Sequence, residues 1–330
     1  MQVENVLRSI FSMFFLVSLI RISTPIIFPA MGGLIAASSG VSNMALEGIM
    51  NASALTGVLV SVYTKNLAFS ILCGIVVGVS IAGILAFFHL KLNTTTTLAG
   101  LALNLFCSGG TVFAMYIITG DKGNTSNLAS LAVTPIHIPF LKDIPFLGQI
   151  LSGHWIFTYL AFFMVWAIYM MLYRTPFGVH LRAVGENPEA ATSLGINVNR
   201  HRTIALLMSG VMASLGGMTL SMAYLYMFQA EMAAGRGWIG LVAVSLGARK
   251  PVGVLLAAML FGFSDSLSNQ LGSLNVPSML VQTIPYFTTI IALVVYAIQQ
   301  RQEIINRVKK FQEQHAAANL AEAAAESANK

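Results

Sequence analysis

Apolar runs long enough to cross a bilayer recur along this 330-residue chain, separated by short polar breaks. Leu67 to Phe88 and Trp155 to Tyr173 hold no formal charge at all, and each matches the ~20 residues that span a hydrocarbon core. The pattern predicts helices over about Val6–Ser23, Ala45–Tyr63, Leu67–Phe88, Leu98–Ile118, His154–Tyr173, Thr203–Phe228, Val252–Leu267 and Ser278–Ile298. Pro25 opens a further apolar stretch that reaches Ala37. Two stretches, SSGVSNMALEGIMNASALTG and AEMAAGRGWIGLVAVSLGA, are too polar and glycine-rich for plain lipid-facing spans. The expected fold is all-α and strand-free, a polytopic transmembrane bundle of about 8–10 membrane helices, two of them discontinuous. No A-x-A cleavage pattern follows the first helix, which reads as a retained anchor. Residues 1–300 form the membrane domain, and 301–330 an alanine- and glutamate-rich tail without chemistry of its own.

One polar segment is unusually well punctuated: Arg182 to Ile196, RAVGENPEAATSLGI. Asn187 is a good N-cap, and Pro188 suits the first helical position, where its missing N–H is harmless. Glu189 places negative charge at the positive dipole end, and Gly195 can adopt the left-handed cap. Two turns of helix are marginal alone in water. Such a helix must lean on its own protein or on a partner.

Composition sharpens the membrane reading. The chain is 56% hydrophobic and 9% charged, against about 25% charged in soluble domains, and its mean hydropathy is +0.76. Loop cations set orientation. With the N-terminus cytoplasmic, Arg8, Lys91, Arg174, Arg182, Arg200, Arg202, Arg249, Lys250 and all five cations from Arg301 onward lie inside. Arg21, Lys65, Lys122, Lys142 and Arg236 lie outside. Both termini and the capped segment are then cytoplasmic. Cations confined to short interhelical loops argue against nucleic-acid binding, and Cys73 and Cys107 read as buried hydrophobes rather than a disulfide or metal pair.

Enzyme chemistry finds no footing. There is no Gly-Lys dipeptide and hence no phosphate-binding loop, the six histidines lack ligand spacing, and no G-x-S-x-G elbow occurs. No catalytic residue, metal or cofactor is expected. Irregular backbone at membrane depth is tolerated where it lines a cavity, so the broken stretches are the candidate path. Asn43, Glu47 and Asn51 share one helical face, and an intramembrane carboxylate such as Glu47 is either a functional group or a hub that pins a half-helix. Arg236 and Trp238 come from the second stretch. Asn104, alone on an apolar helix, joins the path candidates, with interhelical hydrogen bonding as its alternative role.

The quoted residues resemble a known family. RAVGENPEAATSLGI, NRHRTIALLMSGVMASLGG and AAGRGWIGLVAVSLGARKPVG are similar to permease subunits of bacterial ABC importers, in the branch serving branched-chain amino acids, ribose-like sugars and nucleosides. GVSNMALEGIMNASALTG and LAGLALNLF fit the same family, in the same order, up to about Gln300. GENPEAA, AGRGWI and NMALEGIM look most like nucleoside permeases. LGARKP lacks the aromatic residue such permeases usually carry before the proline. The resemblance implies an inner-membrane, multi-pass permease subunit for a nucleoside or, alternatively, a ribose-like sugar or branched-chain amino acid. It implies three partners: an ABC ATPase cassette, a second, related but different permease, and an extracytoplasmic substrate-binding protein. Gly185, Glu186, Asn187, Pro188, Glu189, Ala190, Ala191 and Gly195 would form the coupling helix, within a coupling loop of about 174–202. A secondary transporter driven by an ion gradient is the remoter alternative.

Overall fold

The computed structural model describes residues 13–128, 130–136 and 152–272, together with scattered positions between 283 and 312. Helices α1 (Met13–Ser38), α2 (Leu46–Thr64), α3 (Leu67–Leu90) and α4 (Thr96–Thr119) come first. They are followed by α5 (Ile156–Arg174), α6 (Pro176–Glu186), α7 (Pro188–Ser193), α8 (Val198–Met218), α9 (Arg236–Leu246) and α10 (Pro251–Gly272). Among the described residues, seven helices are long and apolar enough to cross a membrane. The span expected at Ser278–Ile298, the start of the first helix and the tail fall wholly or largely outside these residues.

The centre of the bundle is set by α1 and α8. The most apolar stretches of α8 and α1 are 72% and 67% buried, against 33% for α3 and 22% for α4. Leu105, Phe106, Phe113 and Ile117 of α4 therefore point away from the protein, as spans bordering lipid or another subunit must. Ile26, Ile27, Phe28 and Met31 of α1 are fully enclosed, packed with Phe157 and Ala161 of α5, Met212 and Leu215 of α8 and Phe261 of α10.

Two expectations need correcting. Pro25 does not break the first apolar region, because α1 runs unbroken through Pro25 and Pro29. Interior prolines survive in bundle helices when neighbours enclose the backbone, and here Gly216 of α8 and Gly240 of α9 both lie against Pro29. Nor is the chain strand-free. Strands β1 (Pro135–Ile136) and β2 (His154–Trp155) pair antiparallel, too short for any period-2 pattern to reveal. At the same end, the Thr125 N–H donates to Phe228 O at 2.9 Å and the Phe228 N–H to Thr125 Oγ1 at 2.9 Å, closing the loop over the end of α8. There α8 widens into a buried π-helical turn, Thr219–Tyr224.

Candidate translocation and coupling sites

After α1 the chain does not turn straight into α2 but climbs the side of α8. Arg202 Nε donates to Ser39 O at 3.3 Å, and Asn43 Nδ2 to Ser209 Oγ at 3.0 Å. Residues 202 and 209 lie about 10 Å apart along a helix, so α2 begins inside the bundle rather than at its edge. Its first turn needs acceptors for orphan N–H groups. Asn43 Oδ1 accepts from Ala45 N–H at 3.0 Å, and Asn104 Oδ1 from Gly48 N–H at 2.8 Å. Asn104 also donates through Nδ2 to Met44 O at 2.8 Å. One side chain thus ties α4 to both sides of the α2 start.

The second broken stretch arrives at the same place. Between the π-turn and α9, Tyr226, Glu231, Ala234 and Gly235 all have positive φ, a run of left-handed turns that no regular helix contains. Glu47 accepts from the next element with both oxygens: Oε1 from Gly235 N–H at 2.7 Å and Oε2 from Gly237 N–H at 2.8 Å. One turn on, Asn51 Oδ1 accepts from Ala233 N–H at 3.1 Å. Gly237 has to be glycine, since a Cβ there would stand 2.6 Å from Glu47 N. Glu47 is itself in the first turn of α2 and caps the first turn of α9, so the positive ends of two helix dipoles meet at one carboxylate.

The structure therefore gathers Asn43, Glu47, Asn51 and Asn104 into one polar knot. Each is held by protein partners, and Asn43 and Asn51 are 0% and 1% exposed. Glu47 thus joins the start of α2 to the start of α9, and Asn104 hydrogen-bonds from α4 to the start of α2. Arg236 donates to Met232 O and Ala233 O at 3.5 and 3.4 Å and ion-pairs with Asp265 of α10 at 3.7 Å. Its Nε is buried without a partner. Trp238 is 37% exposed and does not join the knot's hydrogen bonds. Sequence reading missed Ser209, Asp265 as the Arg236 partner, and Ser108, whose hydroxyl donates to Glu231. The small residues Ser209, Ala213 and Gly217 at helical spacing marked the close-packed face of α8, but not its partners.

The capped segment forms as its residues dictate. Asn187 Oδ1 accepts from Ala190 N–H at 3.0 Å, Pro188 opens α7, and Gly195 closes it with φ +79°. Ala191 is buried, while Glu189, Ala190 and Leu194 are outside, Leu194 at 79% exposure. Helix α6 seats this element against the bundle: a Cβ at Gly185 would collide with Ser38 O at the end of α1. Beside α7 lies an open groove of about 670 Å³ lined by Phe177, Val179, His180, Leu194 and Ile204 among others. Cys73 and Cys107 are free, with Cys107 buried and Cys73 only partly so.

The sequence is similar to those of known transport proteins. The guanosine ABC transporter permease protein NupQ of Bacillus subtilis is 34% identical over 82% of this chain and 88% of its own. The nucleoside ABC transporter permease protein NupC of Lactococcus lactis is 32% identical over 87% and 94%. A second guanosine permease of Bacillus subtilis, NupP, matches at 29% over 49% of this chain and 43% of its own. Residues 15–298 match the family described as the branched-chain amino acid transport system / permease component. The chain belongs to that permease family.

Proposed function

We propose that this chain is one translocation subunit of an ATP-driven importer of nucleosides. The observation that carries the substrate class is the likeness to NupQ and NupC over most of both chains. The Glu47 knot supports it independently. Transporter half-helices commonly aim their positive ends at an anionic group of the substrate. Here that place is taken by the protein's own carboxylate. With both helix ends already neutralised by the protein's own carboxylate, neither is left to attract a solute carboxylate, which suits an uncharged solute such as a nucleoside. In this reading Arg236 and the part-exposed Trp238 face the path, while Glu47, Asn51 and Asn104 hold its shape.

The α6–α7 end is the cytoplasmic one, as the cations Arg174, Arg182, Arg200, Arg202, Arg249 and Lys250 gathered there support. Helix α7 docks in a groove of a separate ATPase cassette. The exposed Leu194 at its tip is a fitting anchor, since full burial of a leucine side chain contributes about 1.5–3 kcal/mol. The match of both NupQ and NupP, two guanosine permeases of one organism, supports pairing with a related but different permease. A binding protein outside delivers the solute. The test is uptake of labelled guanosine by cells that express the whole complex, with unlabelled competitors in excess. Competition by other nucleosides but not by leucine or ribose is expected; uptake blocked by leucine or ribose would overturn the substrate class.

A further inference from the structure

At the α6–α7 end a cavity of about 230 Å³ opens between the last residues of α1, Ala37 and Ser38, Tyr173 of α5, Arg182 and Glu186 of α6, and the turn Ala248–Lys250 before α10. Three apolar spans stop at its walls: the first ends at Ser38, the second at Arg174, and the third starts at Pro251. The cavity thus lies at the level where hydrocarbon gives way to headgroups. Its charge is unbalanced. Arg182, Arg249 and Lys250 face it against one carboxylate, Glu186. Among the described residues neither the three cations nor Glu186 is ion-paired.

Arg182 is set in place without being satisfied. Its guanidinium lies over the Tyr173 ring, 4.8 Å from the centroid, a contact that holds it against the aromatic face. Its Nε is nevertheless buried and has no hydrogen-bond partner, an arrangement that loses free energy unless an acceptor arrives. The opposing wall is held under strain: Ala248 and Arg249 have φ of 51° and 56°, values that side-chain-bearing residues rarely adopt. That backbone directs two consecutive cations to the rim. A planar donor fork, two further cations and an aromatic floor at a membrane interface fit the phosphodiester of an anionic lipid.

We propose that this cavity binds the headgroup phosphate of an anionic phospholipid, with Arg182 as its oriented donor and Arg249 and Lys250 closing over it. A lipid seated there contacts α1, α6 and the α9–α10 turn at once. It would brace the base of the coupling segment against the element whose other end Glu47 caps. None of Asn43, Glu47, Asn51, Asn104, Arg236 and Trp238 lines this cavity.

The test is native mass spectrometry of the full chain, purified with its complex, titrated with phosphatidylglycerol or phosphatidylcholine. Wild type is expected to retain phosphatidylglycerol selectively, and R182Q/K250Q to lose about twenty-five-fold in that selectivity, each interfacial cation contributing about fivefold. R182K, which keeps charge without the fork, falls between, and K122Q at the opposite end of the bundle behaves as wild type. Equal retention of the two lipids by wild type, or unchanged selectivity in R182Q/K250Q, overturns the proposal. Release of bound phosphatidylglycerol by millimolar inorganic phosphate overturns the lipid in favour of a soluble oxyanion. If R182Q/K250Q loses the ATPase while keeping lipid selectivity, the cavity is a protein contact instead and the proposal fails.

Discussion

Replacing Glu47 by glutamine removes the charge at the meeting of α2 and α9 while keeping the side chain's length. A carboxamide can accept from only one of Gly235 and Gly237, and its NH2 then faces the other N–H, so one of the two bonds becomes a donor–donor contact. A hydrogen bond to a charged group contributes about 1.5–3 kcal/mol, and Glu47 is only half-buried, so about 2 kcal/mol is the appropriate size. That destabilises the start of α9 locally by about thirtyfold in its opening equilibrium. Hydrogen–deuterium exchange of the purified complex reads this directly. In E47Q the peptide covering residues 232–240 should exchange about thirtyfold faster, and in E47A faster still, because both N–H groups lose their acceptor. Peptides from α5, which supplies none of the hydrogen-bond partners given for the knot, should keep their wild-type rates. Wild-type exchange around Gly235 in E47Q would refute the capping role, and a uniform rise over every helix would mean general destabilisation instead.

Other outcomes follow from the same geometry. G237A pushes a methyl group against the α2 backbone and should cost about 1–3 kcal/mol; a melting temperature of the complex equal to wild type would contradict the close approach. N104L leaves the Gly48 N–H and Met44 carbonyl without partners and should destabilise by about 2–6 kcal/mol, at about 1–3 for each orphaned group, seen as reduced yield of folded complex. Combining N187A with P188G removes the α7 cap and its preset first turn, about 1–2 kcal/mol together. Cassette ATP hydrolysis should then persist while uptake falls several-fold, and unchanged uptake with normal cassette binding would reduce α7 to a loop ornament. R236M and D265L should each weaken uptake, with the double variant less than additive because the two share one ion pair; strict additivity would show that the pair is not coupled.

How much of this was legible in the sequence depended on whether a signal was local. The capped α7 was, since Asn187, Pro188 and Gly195 carry their meaning within nine residues. The apolar spans were, since length and hydropathy decide them. Glu47 was flagged as a lone charge on a face shared with Asn43 and Asn51, but its partners lie nearly two hundred residues on, and helical periodicity says nothing about which backbone N–H groups will arrive. The same holds for Asn104: its isolation on α4 marked it as a hydrogen-bonding residue without naming the α2 start as its target. Pro25 misled because its local preference for ending a helix is overridden by enclosure from α8 and α9. The two-residue strands escaped because their pairing is made by loop closure rather than by pattern.

The central claim, that this permease moves its solute by using ATP hydrolysed on another subunit, meets its most direct test in vesicles. The complete complex is reconstituted with an ATPase, a partner permease and a binding protein, and accumulation of labelled guanosine is followed with and without enclosed ATP. The account predicts accumulation that requires ATP and ceases when the cassette is omitted. Accumulation by this chain alone, driven by an imposed ion gradient and indifferent to ATP, would contradict it.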